Sequence, residues 1–210
     1  MINWQLKLIY HFLTINPFDL NLKINLNNYK ISNLFKLNSI INEFIKSGLL
    51  FNENISAHTL VNIKSTKKDE IFNEAKLVLR VLNGKISFDN SIFINNNIGL
   101  VEVSNSDLFL ENDKLFLTSN LSIDIKDTDR LYSFLNTNKR VRKNIKNIKL
   151  NIIYDFLSNE IVFKNIKIDN NEVSDQFLNI VDGFIDNNSN NLTKSRRLLN
   201  ELIALYVYEG

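Results

Sequence analysis

The residues that could do chemistry are few, and their spacing does not assemble a site. The two histidines, His11 and His58, have no partner at metal-ligand spacing and no His-Glu-x-x-His arrangement. With no cysteine in the chain, thiolate metal sites, a cysteine nucleophile and a disulfide framework are excluded. The five glycines, Gly48, Gly84, Gly99, Gly183 and Gly210, stand apart, so no loop can bring its backbone up to a nucleotide phosphate. Acidic pairs such as Asp127 and Asp129 suit the start of a helix, with Asp127 or Thr128 as N-cap and Asp129 as dipole partner, better than an acid/base couple. The reading is a non-catalytic chain with no cofactor and no metal.

One charge concentration remains, a basic run containing Lys139, Arg140, Arg142 and Lys143. It can meet anionic lipid head groups, or it can neutralise the C-terminal end of a preceding helix dipole. Over the whole chain 25 basic residues face 23 acidic ones, a balance that argues against a nucleic-acid partner. Asparagine abounds beside Ile, Lys, Leu and Phe, the mark of A/T-rich codons, and on that ground its abundance is read as carrying little mechanism.

The elements that would position these residues are mostly strands. Alternation predicts strands over residues 20–26, 59–64, 75–82, 85–88, 91–94, 99–103, 107–110, 114–117, 121–125, 148–154 and 161–168. Polar turns divide them, including Asn83-Gly84 and residues 104–106. Helical spacing predicts helices over about 1–15, 33–47, 127–136, 174–186 and 193–207. No run approaches the roughly 18 apolar residues of a membrane-spanning helix. Residues 1–17 lack the apolar core and cleavage site of a signal peptide, so either the protein is cytoplasmic or a targeting segment lies upstream, and the second is the preferred expectation. With no Pro/Gly/Ser linker, residues 1–210 form a single unit: a β-rich α+β fold with a curved antiparallel meander, an open groove-like sheet, a few short amphipathic helices and a helical C-terminus.

Spacing of two puts Leu77, Leu79 and Val81 on one side of their strand. The same holds for Leu108 with Leu110, for Leu115 with Leu117, and for Leu121 with Ile123 and Ile125. These ten are the candidates for a shared apolar face, although sequence alone does not set the register between strands.

The run Leu82-Asn83-Gly84-Lys85-Ile86-Ser87-Phe88, followed by Ile98-Gly99-Leu100-Val101-Glu102-Val103, Asp107-Leu108-Phe109-Leu110 and Leu115-Phe116-Leu117, resembles the AsmA-like C-terminal region of bacterial envelope proteins. Residues 127–142, a helix followed by basic residues, are similar to a helical insertion near the end of such proteins. The resemblance spans roughly residues 75–170. It implies the C-terminal segment of a longer periplasmic protein anchored in the inner membrane through an upstream segment. Such a segment lines an apolar groove for phospholipid transfer or outer-membrane homeostasis, with acyl chains and other envelope proteins as partners. The alternative reading of the same strands is a scaffold domain with a closed core that binds other proteins.

Overall fold

The computed structural model describes residues 5–8, 18–31, 47–48, 51–66, 70–112, 114–156, 160–185 and 192–209. Its centre is one eleven-stranded sheet. In chain order the strands are β1 Gln5–Leu8, β2 Phe18–Asn27, β3 Ile55–Lys64, β4 Glu74–Leu82, β5 Lys85–Ser87, β6 Ile92–Asn95, β7 Gly99–Glu111, β8 Lys114–Ile125, β9 Asn147–Asp155, β10 Glu160–Ile168 and β11 Asn171–Glu172. The helices are α1 Thr128–Leu135, α2 Asp175–Ile185 and α3 Leu192–Glu209, and a 3₁₀ turn spans Lys139–Val141. Neighbours in the sheet follow chain order from β1 to β11, with β5 and β6 sharing the place between β4 and β7. Among the described residues nothing pairs β1 with the far edge, so the sheet is open.

All but one of the strand pairs are antiparallel. The exception is β2 with β3, parallel over ten residue pairs from Phe18–Ile55 to Asn27–Lys64, so the sheet is mixed rather than wholly antiparallel. A parallel pair requires a crossover of a dozen or more residues, and residues 28–54 supply it. The helix expected over 33–47 falls mostly outside the described residues. Within the helix expected over 1–15, Gln5–Leu8 is instead a strand paired with β2, Leu6 opposite Ile24 and Leu8 opposite Leu22. Those leucines satisfy a period of two as well as a helical spacing, and an adjacent strand with free hydrogen-bonding groups favours the extended form.

Two expected breaks lie inside long strands, the first of them as a bulge. Residues 104–106 do not turn the chain: β7 runs on for 13 residues, and its register to β8 slips by one between Ser104–Asn120 and Asp107–Thr118. Likewise 114–117 and 121–125 belong to one strand, β8. A second slip lies between Lys164 and Lys167 in β10. Asn105 and Asn165 adopt positive φ (48° and 51°) inside these bulges, a conformation most side chains avoid. Among the described residues all nine non-glycine positions of positive φ are Asn or Asp. With five glycines in the chain, asparagine carries the left-handed turns, a structural role that composition alone did not disclose. Asn83-Gly84 forms the expected tight turn, at φ 51° and 70°. Gly99 has no substitute, because a Cβ there would meet the Asp124 carbonyl oxygen at 2.0 Å.

Between β5 and β6 the chain leaves the sheet at residues 88–91, and Ser91 repairs the gap. Its hydroxyl accepts from the Val78 N–H at 2.9 Å and donates to the Val78 carbonyl at 3.3 Å, while Ser91 itself is fully buried. Ser91→Ala removes both partners from a buried peptide group. The expected loss is about 1–3 kcal/mol, read as a lower urea midpoint at unchanged m-value; an unchanged midpoint would contradict it.

Candidate functional site

Register decides whether the ten apolar candidates meet, and it brings them together. Residues directly opposite on adjacent strands point to the same side of a sheet. Val61 faces Leu77, Thr59 faces Leu79, and Val81 faces Ile86. Ile86 faces Leu108, which faces Leu117, and Leu110 faces Leu115. Val103, Val101 and Gly99 face Leu121, Ile123 and Ile125. Phe93 opposite both Ala75 and Val101 links the two halves. The β7 bulge makes this possible. Leu108 and Val101 differ by an odd number of residues, so an unbroken strand would turn them to opposite faces.

The other face is mainly polar. Asn62 donates to Asn25 across β3 and β2 at 2.9 Å, and Asn147 bridges to Ser122 on β8. His58 is exposed on this face, opposite Arg80, and His11 lies outside the described residues.

Burial divides the ten. Val81, Leu108 and Leu115 are 2%, 1% and 6% exposed, filled in by protein and shut off from any ligand. They belong to a cluster with Ala57, Ile86 and Phe156, flanked by Leu79, Leu117, Phe51 and Tyr154. Leu77 borders a second cluster around Val61, Ile63 and Phe93. Leu121, Ile123 and Ile125 border a third, where Phe177 and Val181 of α2 and Leu202 of α3 sit against Leu150, Ile166 and Ile168. The helical cover thus lies over the β8–β10 part of the face. Among the described residues the cluster around Leu108 and Leu117 contains no side chain from α1, α2 or α3. Leu79 and Leu117 there are half-buried, and Leu110 is 52% exposed. The apolar face open to a ligand is therefore narrower than the sequence spacing implies.

The basic run also divides. Asp127 caps α1 through the Arg130 N–H, and Asn136 ends the helix in the left-handed conformation. Arg142 then folds back, its Nε and Nη2 donating to the Thr137 carbonyl at 3.2 and 3.0 Å. Lys143 lies 4.7 Å over the Tyr206 ring, and its peptide N–H and carbonyl both bond the Tyr132 hydroxyl. Burial holds the Tyr132 hydroxyl above its ordinary pKa, against the opposing effects of the Lys143 peptide and Arg142. Arg142 is thus occupied at the end of α1 and Lys143 in joining α1 to α3, close to the helix-end alternative. Lys139 and Arg140 stay exposed. An open cleft of about 400 Å³ is lined by Lys126, Asp127, Tyr132, Arg142, Lys143 and Asn144, among others.

A polar node without a sequence signal sits where β5, β6 and β7 kink together. Asp89 accepts from the Ser106 N–H and hydroxyl, both at 2.7 Å, and the Ser106 hydroxyl accepts from the Phe88 N–H. Burial alone would raise the Asp89 pKa. The bonds from Ser106, the Ser87 hydroxyl and the charge of Arg80 outweigh it and hold the carboxyl below its ordinary 3.8. A carboxyl with a depressed folded pKa stabilises above the unfolded value, and that contribution is lost as pH falls through the folded one. The urea midpoint is expected to drop from about pH 5 to about pH 2 more in the parent chain than in Asp89→Asn. Identical slopes would contradict the assignment.

Among the described residues no group of three His, Cys, Asp or Glu side chains lies close enough to hold a metal. No described helix is long and apolar enough to cross a membrane. Fold and site together define a β-rich α+β protein built on one open mixed sheet with a continuous apolar face. No protein-family model, no curated protein and no solved structure matches the chain.

Proposed function

We propose that this chain is a non-catalytic segment of an envelope protein whose apolar sheet face holds phospholipid acyl chains, as the resemblance to AsmA-like C-terminal regions implies. Its place would be the periplasm, with an anchor in the inner membrane supplied by an upstream segment. The observation that carries the proposal is the shared face: ten apolar side chains, chosen by spacing alone, lie on one side of one open sheet. An apolar face must be covered by protein or by a ligand. Among the described residues α2 and α3 cover the β8–β10 part, other protein atoms bury Val81, Leu108 and Leu115, and Leu79, Leu110 and Leu117 remain partly exposed. An acyl chain seated on the remainder gains about 0.8 kcal/mol for each CH₂ removed from water. Leu79, Leu110 and Leu117 are the contacts best placed for it, and transfer or outer-membrane homeostasis is the role such a surface serves.

The scaffold reading has its own support in Val81, Leu108 and Leu115, which protein atoms already bury. Under that reading the face is simply core and the partners are other proteins. Mass spectrometry of lipid extracted from the purified chain separates the two. Phospholipid at near-stoichiometric level supports the groove, and its absence leaves the scaffold.

A further inference from the structure

The connection between β8 and β9, residues 126–146, carries seven cations and two acids, a net +5. The whole chain is +2, so the rest of it carries −3. Five of those cations, Lys126, Arg130, Lys139, Arg140 and Lys146, are exposed, and no side-chain ion pair involves any of them among the described residues. At the opposite end of the sheet stand exposed Glu111 of β7 and Glu160 of β10, while Lys114 of β8 is drawn to Asp155 of β9 at 3.7 Å. At the connection's own end of the strands Asp124 and Asp169 offset part of this charge, Asp169 accepting from the Lys146 and Asn147 N–H groups, and the connection remains the cationic end of β8 and β9.

We propose that this cationic end docks on an anionic bilayer surface, with lipid phosphates as its partners. Flexible Lys and Arg side chains spread along one connection suit a surface of many mobile phosphates, and charges within about 10 Å of it act together. A nucleic acid fits less well. Tyr132 and Phe134, the aromatic residues of this connection, are buried and half-buried, and Arg196 lies over the Phe134 ring at 4.7 Å, so no stacking platform accompanies the cations. Ile125, Ile148 and Ile168 bring the apolar face to this same end of the strands. Docking would thus set the face end-on to the membrane; that orientation rests on the acyl-chain proposal, whereas the docking itself does not.

Co-sedimentation of the full chain with vesicles tests it, using phosphatidylcholine alone or phosphatidylcholine with added phosphatidylglycerol. The parent chain should bind only the anionic vesicles, and less as salt rises. At about fivefold per cation, Lys126→Gln, Lys139→Gln, Arg140→Gln and Lys146→Gln together should weaken binding on the order of a hundredfold or more. The control exchanges four exposed lysines elsewhere, Lys23→Gln, Lys76→Gln, Lys85→Gln and Lys164→Gln, for the same net charge change and should retain most of the binding. Equal loss in the two variants, parent binding indifferent to salt, or equal affinity for an RNA oligonucleotide would each overturn the proposal. Lipid co-purified with the chain reports on the acyl-chain face separately, so failure of one is distinguishable from failure of the other.

Discussion

Leu108→Asp is expected to abolish the cooperative thermal transition. Leu108 is 1% exposed and stands between Ile86, fully buried, on β5 and Leu117 on β8. It lies just beyond the β7 bulge, where the strand's facing has been reset, so no small slip can carry its side chain to water without undoing the pairing with β8. A carboxylate there would sit among the apolar side chains of Ile86, Val81, Leu115 and Phe156. Burying an unpaired charge costs more than most domains have to lose, given a total stability of about 5–15 kcal/mol. Leu108→Ala, which leaves a cavity without a charge, is expected to cost about 2–5 kcal/mol and to keep a measurable transition. Circular dichroism melts of the three proteins check this. A Leu108→Asp protein melting within a few degrees of the parent would mean that the cluster around Ile86 is not a packed core.

The difference between what alternation foretold and what register decided is clearest in β7. Alternation in 99–103 and in 107–110 was legible, as were the Asn83-Gly84 turn and α1, whose cap lay between Asp127 and Thr128 until the structure put it at Asp127. Ser104-Asn105-Ser106 has turn composition, yet both flanks pair with the same strand, so the three residues become a bulge. That outcome depends on β8, whose register with β9 is unbroken from Phe116 to Asp124, and no local pattern reports it. The parallel pairing of β2 with β3 is equally non-local. Leu6 and Leu8 satisfied two periodicities, and pairing with β2 chose between them. Among the site candidates, spacing identified side chains that share a face but not those already buried by protein. Val81, Leu108 and Leu115 are lost to the core for that reason, and Leu121, Ile123 and Ile125 border the helical cluster. The roles of Arg142 and Lys143 hang on Thr137 and Tyr206, neither of which has a motif to announce it. The Asp89–Ser106 node joins residues 17 apart through a kink in two strands at once.

Leu117 is the direct partner of Leu108 across β7 and β8, yet the two substitutions to Asp should behave differently. Leu117 is half-buried and borders a cluster with no described helical side chain over it. If acyl chains occupy the space beside it, an aspartate there meets water once the lipid leaves, and the cost to the fold is about 1–2 kcal/mol, within the ordinary range for a single substitution. The same charge repels the chain contacts that held the lipid. In a closed scaffold core no lipid is present to lose, and the carboxylate is driven into packed side chains at several kcal/mol. The decisive measurement is phospholipid per mole of purified protein, by mass spectrometry, for the parent and Leu117→Asp beside their thermal melts. Acyl-chain binding predicts bound phospholipid in the parent, its loss in the variant, and a melt retained to within several degrees. A parent free of phospholipid, or a variant that unfolds, would contradict it.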